Sequence, residues 1–388
     1  MTSRTSAFQR AGMLLSIALV LTVSVIHVAR GAKPAPTSPA YTIIPFLPPN
    51  VDSVSSHPFE ITEEGQVVGF IELPSGETLG VHLDMATGAY TPLDGSSGGA
   101  FGINRHNELV GSYWGADNLI HAAYWAAPTA PRVPLPPLPG HDSGEATDIN
   151  DDGVIVGYSR TTGTTGGQRG VIWTVDFNEA GDPVVYGALE MPPLAGHAFT
   201  GAGRINDPDG STLLVCGMSS SDDFHARQSV VWAVELTDTG PLVGPAYGLG
   251  KLNRLQRSYS TANGINDFGD VCGGSDLRPV LNLAGGTMQM LPIVKDTQDG
   301  WANDLNNLGE IVGQLDVYRT TGYIAGPGNF RAHLWRDGKT IDLNTQISSK
   351  SGWGRLWGAR TINDAGIIGG WGHYDVERRG FLLIPNSP

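Results

Sequence analysis

Two cysteines in 388 residues cannot build a disulfide framework, and the motifs that announce chemistry are missing. The chain has no His-Glu-x-x-His, no Gly-rich phosphate loop after a strand and no Cys with a base beside it. No cofactor is therefore expected. Acids are scattered rather than paired, although two carboxylates about 5–10 Å apart, as glycosidases need, can converge from distant segments. Charged residues are only 16% of the chain while Gly numbers 53 and Pro 26, a composition of short strands joined by turns that disfavours long helices.

The N-terminus has the parts of an export signal. Arg4 and Arg10 supply a basic start, Met13 to Ile26 is apolar apart from Ser and Thr, and Ala29-Arg30-Gly31 offers small residues for cleavage, so residues 1–31 are expected to be removed. An uncleaved anchor is the alternative, because about 18 apolar residues begin to span a bilayer. Neither a twin Arg nor a lipid-accepting Cys follows. A Pro-rich spacer over 32–40 reads as an extended tether into the domain at 41–388. The expected location is secreted or in the cell envelope, extracellular or periplasmic. Cleavage leaves 21 basic against 38 acidic side chains, a formal charge of −17, which argues against nucleic acid and disfavours anionic membrane surfaces. A monomer is expected.

What the sequence has in abundance is repetition. An Ile-Asn-like pair, a turn ending in Gly and an apolar run closed by Gly return seven times: at Ile61-Thr62 to Gly69, Ile103-Asn104 to Gly111, Ile149-Asn150 to Gly157, Ile205-Asn206 to Gly217, Ile265-Asn266 to Gly273, Leu305-Asn306 to Gly313 and Ile362-Asn363 to Gly369. Steps of 42, 46, 56, 60, 40 and 57 residues are those of propeller blades. Length alone suggests two or three domains, but a repeat over nearly the whole chain predicts one closed array.

Each repeat divides into four short strands. In the third copy they are Glu145 to Asn150, Val154 to Tyr158, Arg169 to Val175 and Gly187 to Leu194. The seventh copy stops at Ile384 with no fourth strand, whereas Tyr41 to Leu47, ahead of the first copy, reads like one. An open edge exposes unpaired N–H and C=O groups, so the two termini should complete one blade. The expected fold is an all-β seven-bladed β-propeller of four antiparallel strands per blade, closed by an N-terminal strand. Small residues such as Ala146, Ala202, Ala262 and Ala302 suit crowded inner strands, and Trp125, Trp173, Trp232 and Trp335 suit the wider gaps outward.

The repeat resembles the HAF family of extracellular repeat proteins, written around Ala-x-x-Ile-Asn-x-x-Gly-x-Val-Val-Gly and an Ala-Phe-Leu-Trp-like strand. Residues 146–157, 262–273 and 331–335 match best, and the resemblance covers about 41–384. It departs where Thr62 replaces the Asn, Asn107 replaces the turn Gly, Cys216 and Cys272 replace Val, and the fourth copy inserts a residue in its turn. The resemblance implies secretion and a propeller-like fold and brings no catalytic residues.

Asp148-Ile149-Asn150-Asp151-Asp152-Gly153 opens like a calcium loop, but the twelfth position is Ser159 rather than a bidentate Glu, so these segments read as hairpin turns and no metal site is expected. Cys216 and Cys272 hold equivalent places in adjacent repeats and should face different neighbours, which predicts two buried thiols rather than a bridge.

Links between fourth and first strands share one face with those between second and third strands. That loop-rich face is where a ligand is expected, with His141, His197, Arg254, Arg257 and Trp353 as candidate contacts, and Trp371 and His373 from the last link. Asp296 and Asp299 should stand near the axis on the same face. The function expected is a binding or scaffold module for a polar ligand, a glycan or a surface protein. The alternative is a secreted carbohydrate-active hydrolase or lyase with carboxylates meeting in the axial pocket.

Overall fold

The apolar runs that close each repeat lie between two neighbours, and seven four-stranded antiparallel sheets result. The computed structural model describes residues 39–386 except 50, 95–96, 164–166, 209, 211, 222–226, 253–258, 318–328 and 376. Residues 1–31, expected as an export signal, and both Arg254 and Arg257 lie outside the described residues. The fold is the expected seven-bladed propeller. Blade 3 is typical: Ser143–Ile149, Val154–Arg160, Arg169–Phe177 and Pro183–Met191 pair in that order from the axis outward. Val154, Ile155 and Val156 are all buried, because a blade packs on both faces and leaves neither side of the strand to water.

Blade 7 is closed by the other end of the chain. Tyr41–Phe46 pairs antiparallel with Glu377–Pro385, from Tyr41 opposite Pro385 to Phe46 opposite Gly380. Pro45 is tolerated because this outermost strand has one unpaired edge. Phe46 is fully buried with Leu382, Ile61, Val67 and Val81 in the junction between blades 7 and 1. Arg379, 7% exposed, donates to the Ser53 carbonyl at 2.7 Å, and the Gly380 amide donates to Ser56 Oγ at 2.9 Å, tying blade 7 to blade 1.

All seven inner strands carry a bulge at the same place. In blade 3 the register jumps from Ala146 opposite Gly157 to Asp148 opposite Val156, leaving Thr147 unpaired. The equivalent residues are Phe59, Phe101, Gly203, Asn263, Asn303 and Arg360. This explains the Gly that ends each repeat: a Cβ on Gly157 would overlap the Glu145 carbonyl, and Gly69, Gly111, Gly217, Gly273 and Gly313 face the same obstacle. In blade 7 the residue in that position is Gly370, against the Gly358 carbonyl, one beyond the Gly369 expected from the repeat. Asn107 takes the place of the turn Gly at φ +60°, a conformation Asn tolerates.

Between blades most contacts are made by side chains, with a few backbone bonds such as Ser260 N–H to Arg227 O. Seven apolar clusters occupy the seven junctions. The four third-strand tryptophans donate their indole N–H to the preceding blade: Trp125 to Asp94 O, Trp173 to Pro136 O, Trp232 to Pro192 O and Trp335 to Pro292 O, at 2.7–3.2 Å. Cys216 and Cys272 are free and buried in different junctions, Cys216 with Ala262 and Ile265, Cys272 with Ala302 and Leu305.

The outer strands depart most from expectation. Blade 2 ends in only Val133–Pro134, since Pro134, Pro136 and Pro137 lack the amide a longer ladder needs. Blade 4 has two outer segments, Gly240–Val243 and Tyr247–Gly250, separated at Pro245 and both paired with Gln228–Thr237. Its first turn is longer than one inserted residue: Asn206 accepts from the amide of Leu214, where Asn150 accepts from that of Val154.

Deleting residues 32–49 should leave Glu377–Pro385 as a raw edge, with a lower thermal midpoint or aggregation in light scattering; an unchanged midpoint would overturn the closure. Phe46→Ala should cost about 3–5 kcal/mol in denaturant titration.

Candidate functional site

The Asn of each repeat does two jobs. Its Oδ1 accepts an amide from the end of its own turn, as Asn150 does from Val154 and Asn363 from Ile367 (both 2.9 Å). Its Nδ2 donates to the carbonyl of the corresponding residue in the next blade. Asn104 reaches Asn150, Asn150 reaches Asn206, Asn206 reaches Asn266, Asn266 reaches Asn306, Asn306 reaches Asn363 and Asn363 reaches Thr62, at 2.9–3.5 Å. A second belt lies one residue on: the backbone amides of Arg105, Asp151, Asp207, Asp267, Asn307 and Asp364 donate to the side chains of Asp151, Asp207, Asp267, Asn307, Asp364 and Glu63. Both belts span six junctions and break between blades 1 and 2, where Thr62 has no amide to give and Arg105 no oxygen to accept.

The belts rim a cavity of 380 Å³ on the axis. It opens on the hairpin-turn face, opposite the loop-rich face expected to hold the ligand. Nine carboxylates line it, Glu60, Glu63, Glu64, Asp148, Asp151, Asp207, Asp267, Asp304 and Asp364, against two cations, Arg105 and Arg204. Arg204 spans the floor. Its Nη1 lies 2.6 Å from Glu60 and 3.6 Å from Asp148, and its guanidinium also reaches the carbonyls of Phe59, Phe101 and Thr147 at 3.4–3.5 Å. One side chain from blade 4 thus ties together blades 1, 2 and 3.

Burial opposes charge on this floor. It pushes the Asp148 carboxyl up to about 6 despite Arg204 and the amides of Ile205 and Ile149, and raises Glu60 and Asp304 as well. Burial also disfavours the Arg204 cation, but Glu60, Asp148 and Asp304 outweigh it and hold the guanidinium charged. At the rim Asp207 is pushed up to about 7, first by desolvation and then by Asp151, Asp148 and Asp267. Asp148 and Asp304 each hold the next blade through an amide, Ile205 at 2.9 Å and Ile362 at 3.0 Å.

Among the described residues, none of the sequence-predicted contacts lines this cavity. His141 and His197 brace equivalent loops, each ring Nδ1 meeting a serine, Ser159 at 2.7 Å and Ser219 at 3.0 Å, whose Oγ also accepts the amide of Leu138 or Leu194. Trp353 packs on Tyr374 and edge-on to Phe381. Trp371 and His373 are not in a link but inside the strand Ile368–Tyr374, Trp371 near Arg360 and His373 beside Trp357. Asp299 lies in the inner strand Thr297–Leu305, and Asp296 precedes it at φ +67°. Among the described residues no group of three or more His, Cys, Asp or Glu is arranged to hold a metal ion.

The residues that form the cavity floor, Glu60, Asp148, Arg204 and Asp304, were missed by the sequence reading. Their signal is variation at a fixed place: the position before Ile or Leu reads Glu60, Gly102, Asp148, Arg204, Gly264, Asp304 and Thr361.

Thr62→Asn should complete the inner belt and stabilise the protein by about 0.5–1.5 kcal/mol in denaturant titration; destabilisation would count against the belt. Between pH about 4 and about 7 the raised Asp207 carboxyl keeps a proton in the folded state that the unfolded chain releases, so its contribution to stability falls as pH rises through that window. Asp207→Asn should therefore melt close to the parent at pH 4 and above it at pH 8, and an equal difference at both would refute the assignment.

In fold, the chain is similar to the β-propeller domain of the Trilobed protease from Pyrococcus furiosus, at 11% identity and a TM-score of 0.51 over 86% of this chain and 96% of that one. That domain is described as having an open velcro topology, whereas here Tyr41–Phe46 closes blade 7. A streptogramin B lyase (10% identity, TM-score 0.46, 89% of this chain and 98% of that chain) and the acylaminoacyl peptidase of Pyrococcus horikoshii (13%, 0.48, 84% and 52%) are also similar. No protein-family model and no curated protein matches the sequence. Likeness at these identities speaks for the propeller fold alone.

Proposed function

We propose that the protein is an exported binding module whose axial cavity takes a hydroxyl-rich or amine-bearing group, either a glycan unit or the basic side chain of a surface protein. One observation carries this reading: the cavity wall is rich in acceptors and poor in donors, with carboxylates and Asn side chains of the blades set against two Arg. Hydroxyls and ammonium groups donate, so they match such a wall. The volume falls in the range of small-molecule sites. Because the belt amides hold Asp151, Asp207, Asp267 and Asp364, with Asn307 and Arg105 also holding the second oxygens of Asp267 and Asp151, the wall is organised before a ligand arrives, which lowers the entropy cost of binding. The N-terminal pattern of basic, apolar and small residues supports export, as does the resemblance to extracellular repeat proteins.

A second reading, a carbohydrate-active hydrolase or lyase, has one observation in its favour. Glu60 and Asp148 do converge on Arg204 at the cavity floor. Against it, Asp148 already accepts the amides of Ile149 and Ile205, so it is held as a brace rather than left to move a proton.

Calorimetry with glucosamine and glucose tests the binding reading. Glucosamine should bind, more weakly as salt screens the carboxylates, and the double variant Asp207→Asn with Asp267→Asn should lose about tenfold in affinity, equivalent to about 1.4 kcal/mol. Absence of binding to either sugar, together with polysaccharide turnover abolished by Glu60→Gln, would establish the hydrolase reading instead.

A further inference from the structure

On the loop side of the Arg204 floor the axis has the opposite chemistry. The bulge residue of each inner strand stands there, and in three blades it bridges to the next: Thr147 Oγ1 donates to Ala202 O at 3.1 Å, Asn263 Nδ2 to Ala302 O at 2.8 Å and Asn303 Nδ2 to Ala359 O at 2.7 Å. Blade 7 puts Arg360 in this position. Its guanidinium lies 4.0 Å from the ring centroid of Phe59 and 5.5 Å from that of Trp371. Its Nε is shielded from solvent and has no hydrogen-bond partner, and no carboxylate pairs with it among the described residues.

Arg204, Arg331 and Arg336 are paired with Glu60, Asp342 and Glu310, whereas Arg160 and Arg227 share with Arg360 a shielded Nε that has no partner among the described residues. The Phe59 and Trp371 faces offset part of the cost through cation–π attraction, but no anion does so among the described residues. Desolvation, then Arg204 and Arg378, lowers the Arg360 guanidinium to about 10, still charged at neutral pH. His57, stacked on Phe70 at 4.9 Å, is held neutral, pushed down to about 3 by burial and by Arg378 and Arg360. Arg378 itself is exposed on Glu377–Pro385. A shielded cation without a counter-ion is expensive to keep, and such groups are ordinarily paired. A guanidinium matches a carboxylate with two parallel hydrogen bonds, and the Phe59, Phe70 and Trp371 rings offer an apolar surface beside it.

We propose that the loop-side mouth of the axis binds a small carboxylate carried on a ring, with Arg360 pairing the carboxylate and Phe59 and Trp371 flanking the ring. The site is separate from the acidic cavity and does not depend on the function proposed for it. Galacturonate, its neutral methyl ester and benzoate serve as probes in calorimetry. Galacturonate should bind at least about tenfold more tightly than the ester, and Arg360→Gln should abolish that difference. Arg360→Lys should keep part of it, and filling the acidic cavity with saturating glucosamine should leave benzoate binding unchanged, which separates this site from the cavity. Because Gln removes an unpaired charge, ligand-free Arg360→Gln should melt at or above the parent temperature, as expected of a residue kept for binding at the expense of stability. Benzoate binding lost in Arg360→Gln, with galacturonate silent, would support the site with an aromatic acid as its ligand. Equal binding of acid and ester without any benzoate binding, failure of all three probes, or a lower melting temperature with discrimination retained would overturn the proposal.

Discussion

The strand ladders of this protein run outward within each blade, and between blades the backbone adds only isolated bonds such as Ser260 N–H to Arg227 O and Gly300 N–H to Leu277 O, so the wheel coheres mainly through side chains at the junctions. The Asn of the repeat is the most economical of these. A single amide closes its own turn with one end and grips the neighbouring blade with the other, and because its carbonyl is gripped in turn, each blade is fixed to two others. Such bonds contribute only about 0.5–1.5 kcal/mol each, but they are directional, and the apolar clusters between blades are not. Directionality is what sets the angle between successive sheets. The tryptophan N–H bonds repeat the same device farther from the axis.

The inner bulge links this architecture to the chemistry of the axis. An extra residue in each inner strand turns the backbone so that positions such as Asp148, Arg204, Asn303 and Arg360 meet across the centre, while the closing Gly makes room for the displaced carbonyl. Seven near-identical backbones thereby present seven different side chains. The axis becomes two environments separated by the Arg204 layer, with acceptors crowded toward the hairpin turns and an unpaired cation among aromatic rings toward the loops. A rigid scaffold with variable central positions suits recognition, since the two belts that join the blades at the hairpin turns do not run through those positions.

The joint between blades 1 and 2 is the exception to both belts. Thr62 keeps the turn-closing half of the Asn role, its Oγ1 accepting the Gln66 amide at 3.3 Å, and lacks the half that reaches across. Arg105 instead forms an ion pair with Asp151 on its other side. The junction is held by the apolar cluster of Val68, Leu93, Ala100, Ile103, Leu109 and Trp125.

Blade number, strand order and the closing role of Tyr41–Phe46 were legible in the sequence because they follow from local patterns repeated seven times and from the rule that a sheet edge must be covered. The burial of Cys216 and Cys272 in separate junctions was legible for the same reason. Pairing partners across the axis were not legible. Arg204 and Glu60 are separated by more than a hundred residues, and no spacing within a repeat says how far each inner strand rotates its side chains toward the centre. The same limit applied to His141 and His197, whose loops looked free in sequence and are braced by serines in space. The sequence by itself determined the ring, since apolar periodicity and turn chemistry act over neighbouring residues. Only the tertiary structure decided where the cavity opens and which charges share it, because electrostatic partnership depends on distances that exist only after the ring has closed.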